Sequence, residues 1–213
     1  MNMCADFDPV QFRRPVGSEG RSLLEDMNEH HRPLTDWALS LIPIGKCRKI
    51  LDIGCGGGML ISLLAKRFGD AAVYGIDFSE ESVALSRMTN EDIIREGRCH
   101  ITLDSVSDLP FAAGTFDLVT AFETYFFWPD TENDIRKASS MVACVGYIAI
   151  VSETYPHPDF SERNEEIVRT YNLTLMENDK IKDILSSEGF DVVVNEAAEK
   201  NWVAFIGKKV ISS

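Results

Sequence analysis

The stretch Ile50–Leu60, ILDIGCGGGML, begins as a short apolar run and breaks into glycine before an apolar helix-forming sequence resumes. A run that short, rich in branched side chains and ended by glycine, reads as a buried strand turning tightly into a helix. Asp52, Gly54, Gly56 and Gly58 then lie where a ligand can approach the backbone at the positive end of a helix. By itself such a loop is also satisfied by a tight turn that needs small residues. Asp77, in YGIDFS about 20 residues further on, adds a carboxylate at the end of a second strand, placed to accept hydrogen bonds from the hydroxyls of a ribose. A dinucleotide loop, G-x-G-x-x-G, would need glycine where Met59 stands, which disfavours an NAD-dependent oxidoreductase.

Outward from this loop the chain alternates. AAVYGIDF, CHITLD, FDLVTAF and GYIAIVSE continue the series of buried strands. Helices are expected at residues 58–68, at 79–95 behind an N-cap serine, and at 130–143 with Ile135, Ala138 and Val142 on one face. After a proline-containing loop, ETYPHPDFSERN, a helix carrying Ile181, Ile184 and Leu185 ends near Gly189. FDVVVNE and NWVAFIGKK then form an antiparallel pair. Before the first strand, Leu34, Trp37, Ala38, Leu41 and Ile42 make an amphipathic helix stopped by Pro43. The more polar segment upstream, with Gly17 and Gly20, is compatible with a lid or with a frayed terminus. The expected fold is α/β and doubly wound: a mainly parallel seven-stranded Rossmann-like sheet with helices on both faces and a C-terminal antiparallel pair. It forms a single domain over 1–213, with a helical lid or cap segment at 1–43 and the core at 44–213.

Composition narrows the function. With 213 residues and a formal net charge of −13, the chain repels phosphate backbones and anionic lipid, so no nucleic-acid partner is expected. Five scattered cysteines, Cys4, Cys47, Cys55, Cys99 and Cys144, lack the spacing of a disulfide framework or zinc site; they fit a reducing cytoplasm with no bound metal. No window resembles a signal peptide or membrane span.

An acidic residue followed by G-x-G-x-G closely resembles motif I of the class I S-adenosylmethionine-dependent methyltransferases. LPFAAGTFDLV is similar to that family's segment from the adenine-binding loop into the fourth strand. The resemblance implies that S-adenosyl-L-methionine is the cofactor and S-adenosyl-L-homocysteine the product. It places Asp52 and Gly54 at the methionine portion, Asp77 at the ribose and Phe78 beside the adenine. Cys55, Gly56 and Gly58 complete the loop, and Phe122 ends the fourth strand beside it. The family carries an acidic residue five positions before the proline of LPF; here that position is Ser105 and the carboxylate is Asp104, so either one meets the adenine amino group, while Val106 supplies backbone contacts. Cys55 also reads simply as a small buried residue. MNEHHRPLTDWAL together with FETYFFWPD resembles a branch of small bacterial and archaeal members of unassigned substrate.

In that family the acceptor pocket opens beyond strands four and five, here TAFETYFFWPD (120–130) and SETYPHP. Glu123 is the candidate to deprotonate or orient an acceptor hydroxyl or ammonium; its structural alternative is a helix cap or ion pair. Tyr125, Phe126, Phe127 and Trp128 divide between pocket wall and core, with Tyr125 a further candidate at the chemistry. His31 is the third; His30 is adjacent, so only one of the two is expected to point inward. Met27, Asn28 and His31 form a candidate lid over the cofactor. The chain lacks the D/N-P-P-Y/F sequence of the N6-adenine and glutamine methyltransferases. The expected activity is in-line methyl transfer to O, N or S of a small, partly apolar acceptor by a monomer or homodimer. The alternative is a cofactor-binding regulatory or partner protein without turnover.

Overall fold

The computed structural model describes residues 7–210, so Cys4 and both ends of the expected 1–213 domain lie outside the described residues. Three helices lead in: α1 (Val10–Arg13), α2 (Gly17–His30) and α3 (Arg32–Leu41). The alternating part follows as β1 (Lys49–Ile53), α4 (Met59–Arg67), β2 (Ala72–Asp77), α5 (Glu80–Thr89), α6 (Glu91–Arg95), β3 (Cys99–Leu103), β4 (Phe116–Phe122), α7 (Thr131–Ser140) and β5 (Val142–Ser152). Then come α8 (Ser161–Tyr171), α9 (Asn178–Ser187), β6 (Phe190–Ala197) and β7 (Trp202–Lys209).

The seven strands form one sheet in the order β3-β2-β1-β4-β5-β7-β6, parallel from β3 to β5, with β7 antiparallel to both β5 and β6. The central strands are apolar on both faces because both are covered. Leu51, Val119 and Ile148 look into one core with α7 and α9, whereas Ile50, Leu118 and Ala149 look into the other with α3 and α4. Between β1 and β4 the strand order changes direction, and in such sheets the crevice beyond the carboxyl ends at that point is where ligands bind.

Three helical expectations need correction. The stretch 79–95 is two helices, because buried Asn90 donates its amide to the carbonyls of Ser86 and Gly58, a side-chain competitor that ends α5 and ties it to the glycine loop. Val142 belongs to β5 and pairs with Phe116, not to the face of α7. The polar sequence 161–171, expected within a loop and its continuation, is α8; Asn164 is its one buried residue, so no apolar stripe advertised it. The polar segment upstream of α3 is the 14-residue helix α2, anchored by buried Leu23 and Leu24. Among the described residues no helix is long and apolar enough to cross a membrane.

Candidate functional site

A cavity of about 130 Å³ lies at the switch point, lined by the carboxyl ends of four neighbouring strands. β1 contributes Ile53 and Gly54, and β2 contributes Ile76, Asp77 and Phe78. Asp104, Ser105 and Val106 follow β3, and Glu123 and Thr124 follow β4. Gly54 has φ +75, and a Cβ there would collide with Thr124. Gly58, at φ +83, starts α4, and a Cβ would strike Ser86 and Asn90. Glycine is needed at both, which turns the loop tightly enough to leave backbone facing the cavity.

Asp77 is held from both sides, its Oδ2 accepting from the Gly56 N–H at 3.0 Å and its Oδ1 from the Ser79 N–H at 2.9 Å. Burial raises its pKa, and hydrogen bonds from Ser79, Gly56, the Ser82 side chain and Phe78 pull the other way. Phe78 is a large apolar ring left 41% exposed beside the cavity, a surface suited to a flat ring. Together the glycine cradle, the fixed carboxylate and the open aromatic face fit a ligand that joins hydroxyl groups to a flat ring, as a nucleoside does. Behind this wall Asp52 is buried outside the lining, accepting from the Thr120 hydroxyl at 2.7 Å. Burial pushes its pKa up to about 7, opposed by the Thr120 hydrogen bond and reinforced by the Asp77 charge.

The N-terminal segment closes one side of the cavity. Phe12, Arg13 and Pro15, with Leu24 and Met27 of α2, all line it, and the Ser79 hydroxyl donates to the Pro15 carbonyl at 2.7 Å. Asn28 packs against Gly57.

On the β4–β5 side, Glu123 has φ +55, a left-handed conformation that costs a non-glycine residue about 1–3 kcal/mol. It is fixed there by its N–H donating to the Val151 carbonyl at 2.9 Å and by its Oε1 accepting from the Glu153 N–H at 2.5 Å. Held so, Glu123 is part of the cavity lining. Burial, and then the charge of Glu153, hold the Glu123 pKa well above the ordinary carboxylate range. Glu153 moves the other way: burial opposes ionisation, but hydrogen bonds from His30 and His31 outweigh it and hold its pKa low.

Both histidines reach Glu153, His30 Nε2 lying 3.2 Å from Oε2 and His31 Nε2 3.7 Å from Oε1. Neither ring is in the cavity lining, so the inward place expected for one of them is not taken; His31 is the residue between α2 and α3, and both rings turn onto one carboxylate instead. His31 lies outside the cavity lining. Tyr125 is also displaced from its expected place, fully buried in the core against Phe126, while Phe127 and Trp128 line the cavity. A 3-10 turn at Tyr125–Phe127 divides the cluster in this way. Cys55 is buried, with its Sγ 3.7 Å from the Ser86 hydroxyl, and burial raises its pKa well above the usual thiol value. Cys55, Gly58 and Phe122 all stand behind the lining.

The sequence reading did not single out Glu153, Thr124, Ser82, Leu24 or the Phe12–Pro15 segment. Glu153 had a signal, a carboxylate at the carboxyl end of the fifth strand; Thr124 shows its role only against Gly54 in space.

A family model described as "Methyltransferase domain" matches residues 50–146. A ubiquinone biosynthesis O-methyltransferase of Chromobacterium violaceum is 33% identical over 103 residues, 47% of this chain and 42% of that protein. Two solved structures share the fold. An O-methyltransferase family protein from Burkholderia thailandensis has a TM-score of 0.80 at 17% identity, covering 98% of this chain and 64% of that one. The Haemonchus contortus phosphoethanolamine N-methyltransferase 2, in complex with S-adenosyl-L-methionine, has a TM-score of 0.78 at 17% identity, covering 97% and 60%. The chain spans about half the length of the curated relatives it matches.

Proposed function

We propose that the chain is a class I S-adenosylmethionine-dependent methyltransferase that transfers a methyl group to an O, N or S atom of a small-molecule acceptor. The observation that carries this reading is the convergence of four strand ends on one cavity that has Asp77 and the glycine cradle at one side and Glu123 at the other. Bound S-adenosylmethionine would supply an electrophilic methyl carbon on a sulfonium. Asp77 would accept from the ribose hydroxyls, and Phe78 would cover the adenine. Asp104, Ser105 and Val106 would border its edge, and Asp52 would face the methionine portion through the loop.

In-line displacement needs chiefly a nucleophile held about 3–3.5 Å from the methyl carbon in a dry site. The acceptor lone pair forms the new bond to carbon as the carbon–sulfur bond breaks, and the acceptor's proton leaves to a base. Glu123 is the carboxyl group of the lining on the β4–β5 side, and we assign it that proton or the orientation of the group carrying it. Phe127 and Trp128 form the apolar wall that keeps water away. Incubating the protein with methyl-labelled S-adenosylmethionine and a metabolite extract should move label into a small molecule. Binding of the cofactor without any incorporation would replace this reading with a regulatory cofactor-binding protein.

A further inference from the structure

We propose that His30, His31 and Glu153 form a binding site for a divalent transition-metal ion beside Glu123. One ligand atom from each of the three lies within 4.8 Å of the others. An ion bound at ordinary metal–nitrogen and metal–oxygen lengths sets its donors about 3.0–3.4 Å apart. His30 Nε2 and His31 Nε2 lie 3.2 and 3.7 Å from the two oxygens of Glu153, so small side-chain rotations bring the set to coordination distance. The two imidazoles address different oxygens of one carboxylate, an arrangement that a simple ion pair, needing one histidine, does not require.

The supports come from distant parts of the sequence: the α2–α3 junction on one side and the end of central strand β5 on the other. The side chains are 46%, 16% and 24% exposed for His30, His31 and Glu153, so an ion has an entry path and open coordination positions for water. Two imidazoles and one carboxylate suit zinc, cobalt or iron(II) better than magnesium or calcium, which prefer oxygen. Arg163 is the nearby cation whose charge opposes an ion here, and Glu123 is the nearby carboxyl group that favours one. Occupancy would fasten the α2–α3 junction, and with it the helix lining the cavity, to the sheet. The site is independent of methyl transfer, so the two proposals fail separately.

Metal-free protein titrated with Co²⁺ should develop a visible d–d absorption at one equivalent, displaced by Zn²⁺. Glu153→Gln and the double variant His30→Ala/His31→Ala should weaken Co²⁺ binding by more than the 10–100-fold typical of losing an outer hydrogen-bond partner. His100→Ala, on an exposed strand face away from the cluster, should leave it unchanged. Absence of the absorption, or its survival in Glu153→Gln, would overturn the site. Should a variant misfold by circular dichroism, the wild-type chain still decides: Zn²⁺ must slow carbethoxylation of His30 and His31 and not of His100, and no protection also overturns it.

Discussion

The two sides of the cavity are built in different ways. At the β1–β3 side the polar contacts stay within about 20 residues of sequence: Asp77 accepts from the N–H groups of Ser79 two residues on and of Gly56 in the loop after the adjoining strand, and Gly54 turns that loop by its φ. At the β4–β5 side the groups come from three distant segments, with Glu123 anchored to residues 151 and 153 and Glu153 facing histidines more than 120 positions away. The first side is a compact motif of two adjoining loops. The second is an assembly in which each strand end or helix junction adds one group, so a substitution there can act without disturbing the first.

The difference can be broken by mutation. Asp77→Ala should have the largest effect on binding, weakening S-adenosylmethionine about 100-fold by calorimetry, because charge-assisted hydrogen bonds are worth about 1.5–3 kcal/mol. Affinity within a few-fold of wild type would remove Asp77 from the binding site. Glu123→Gln should leave that affinity within a few-fold while slowing turnover about 100-fold, the lower end of what general-base catalysis contributes. Equal losses in both would erase the division between the two sides.

A third test concerns pH. The folded-state pKa of Asp52 is raised from 3.8 to about 7, so folding favours its protonated form. Its contribution to stability is fully present below pH 3.8 and is lost as pH rises through about 7. The ligand-free protein should therefore melt several degrees higher at pH 5.5 than at pH 8, by differential scanning fluorimetry, at about 2–4 °C per kcal/mol for a chain of this size. Asp52→Asn should reduce that difference, leaving the part due to Asp77 and Glu123, whose pKa values burial also raises; an unchanged slope would remove Asp52 from the titration. The smallest effect belongs to Tyr125→Phe. Its buried ring is packed in the core, so turnover should stay within about twofold, and a large drop would return Tyr125 to the chemistry.

The same division explains what could be read from sequence. Strand alternation, the glycine turn and the position of Asp77 are consequences of short-range pattern, and the sheet order follows from them. Helix α8 escaped because a helix with a single buried residue has no periodicity to detect. The break at Asn90 escaped because the carbonyl of Gly58 that its side chain binds is 32 positions back. The pairing of His30 and His31 on Glu153 depends on a bend between two helices and on a strand that arrives much later in the chain. Tyr125 and Trp128 are three residues apart in one aromatic run and both are buried, and the 3-10 turn between them leaves only Trp128 against the cavity.

The placement of β7 between β5 and β6 has a consequence for synthesis. A growing chain releases β5 and then β6 before the strand that must sit between them exists. Until residues 202–209 emerge, both strands present unpaired backbone edges, and β6 has no neighbour in the sheet at all. The β1–β4 half can assemble early around the glycine turn. The β5 end that carries Glu153 gains its second flanking strand only when β7 slots in, so a nascent chain stalled before that point would expose the sheet as a template for aggregation.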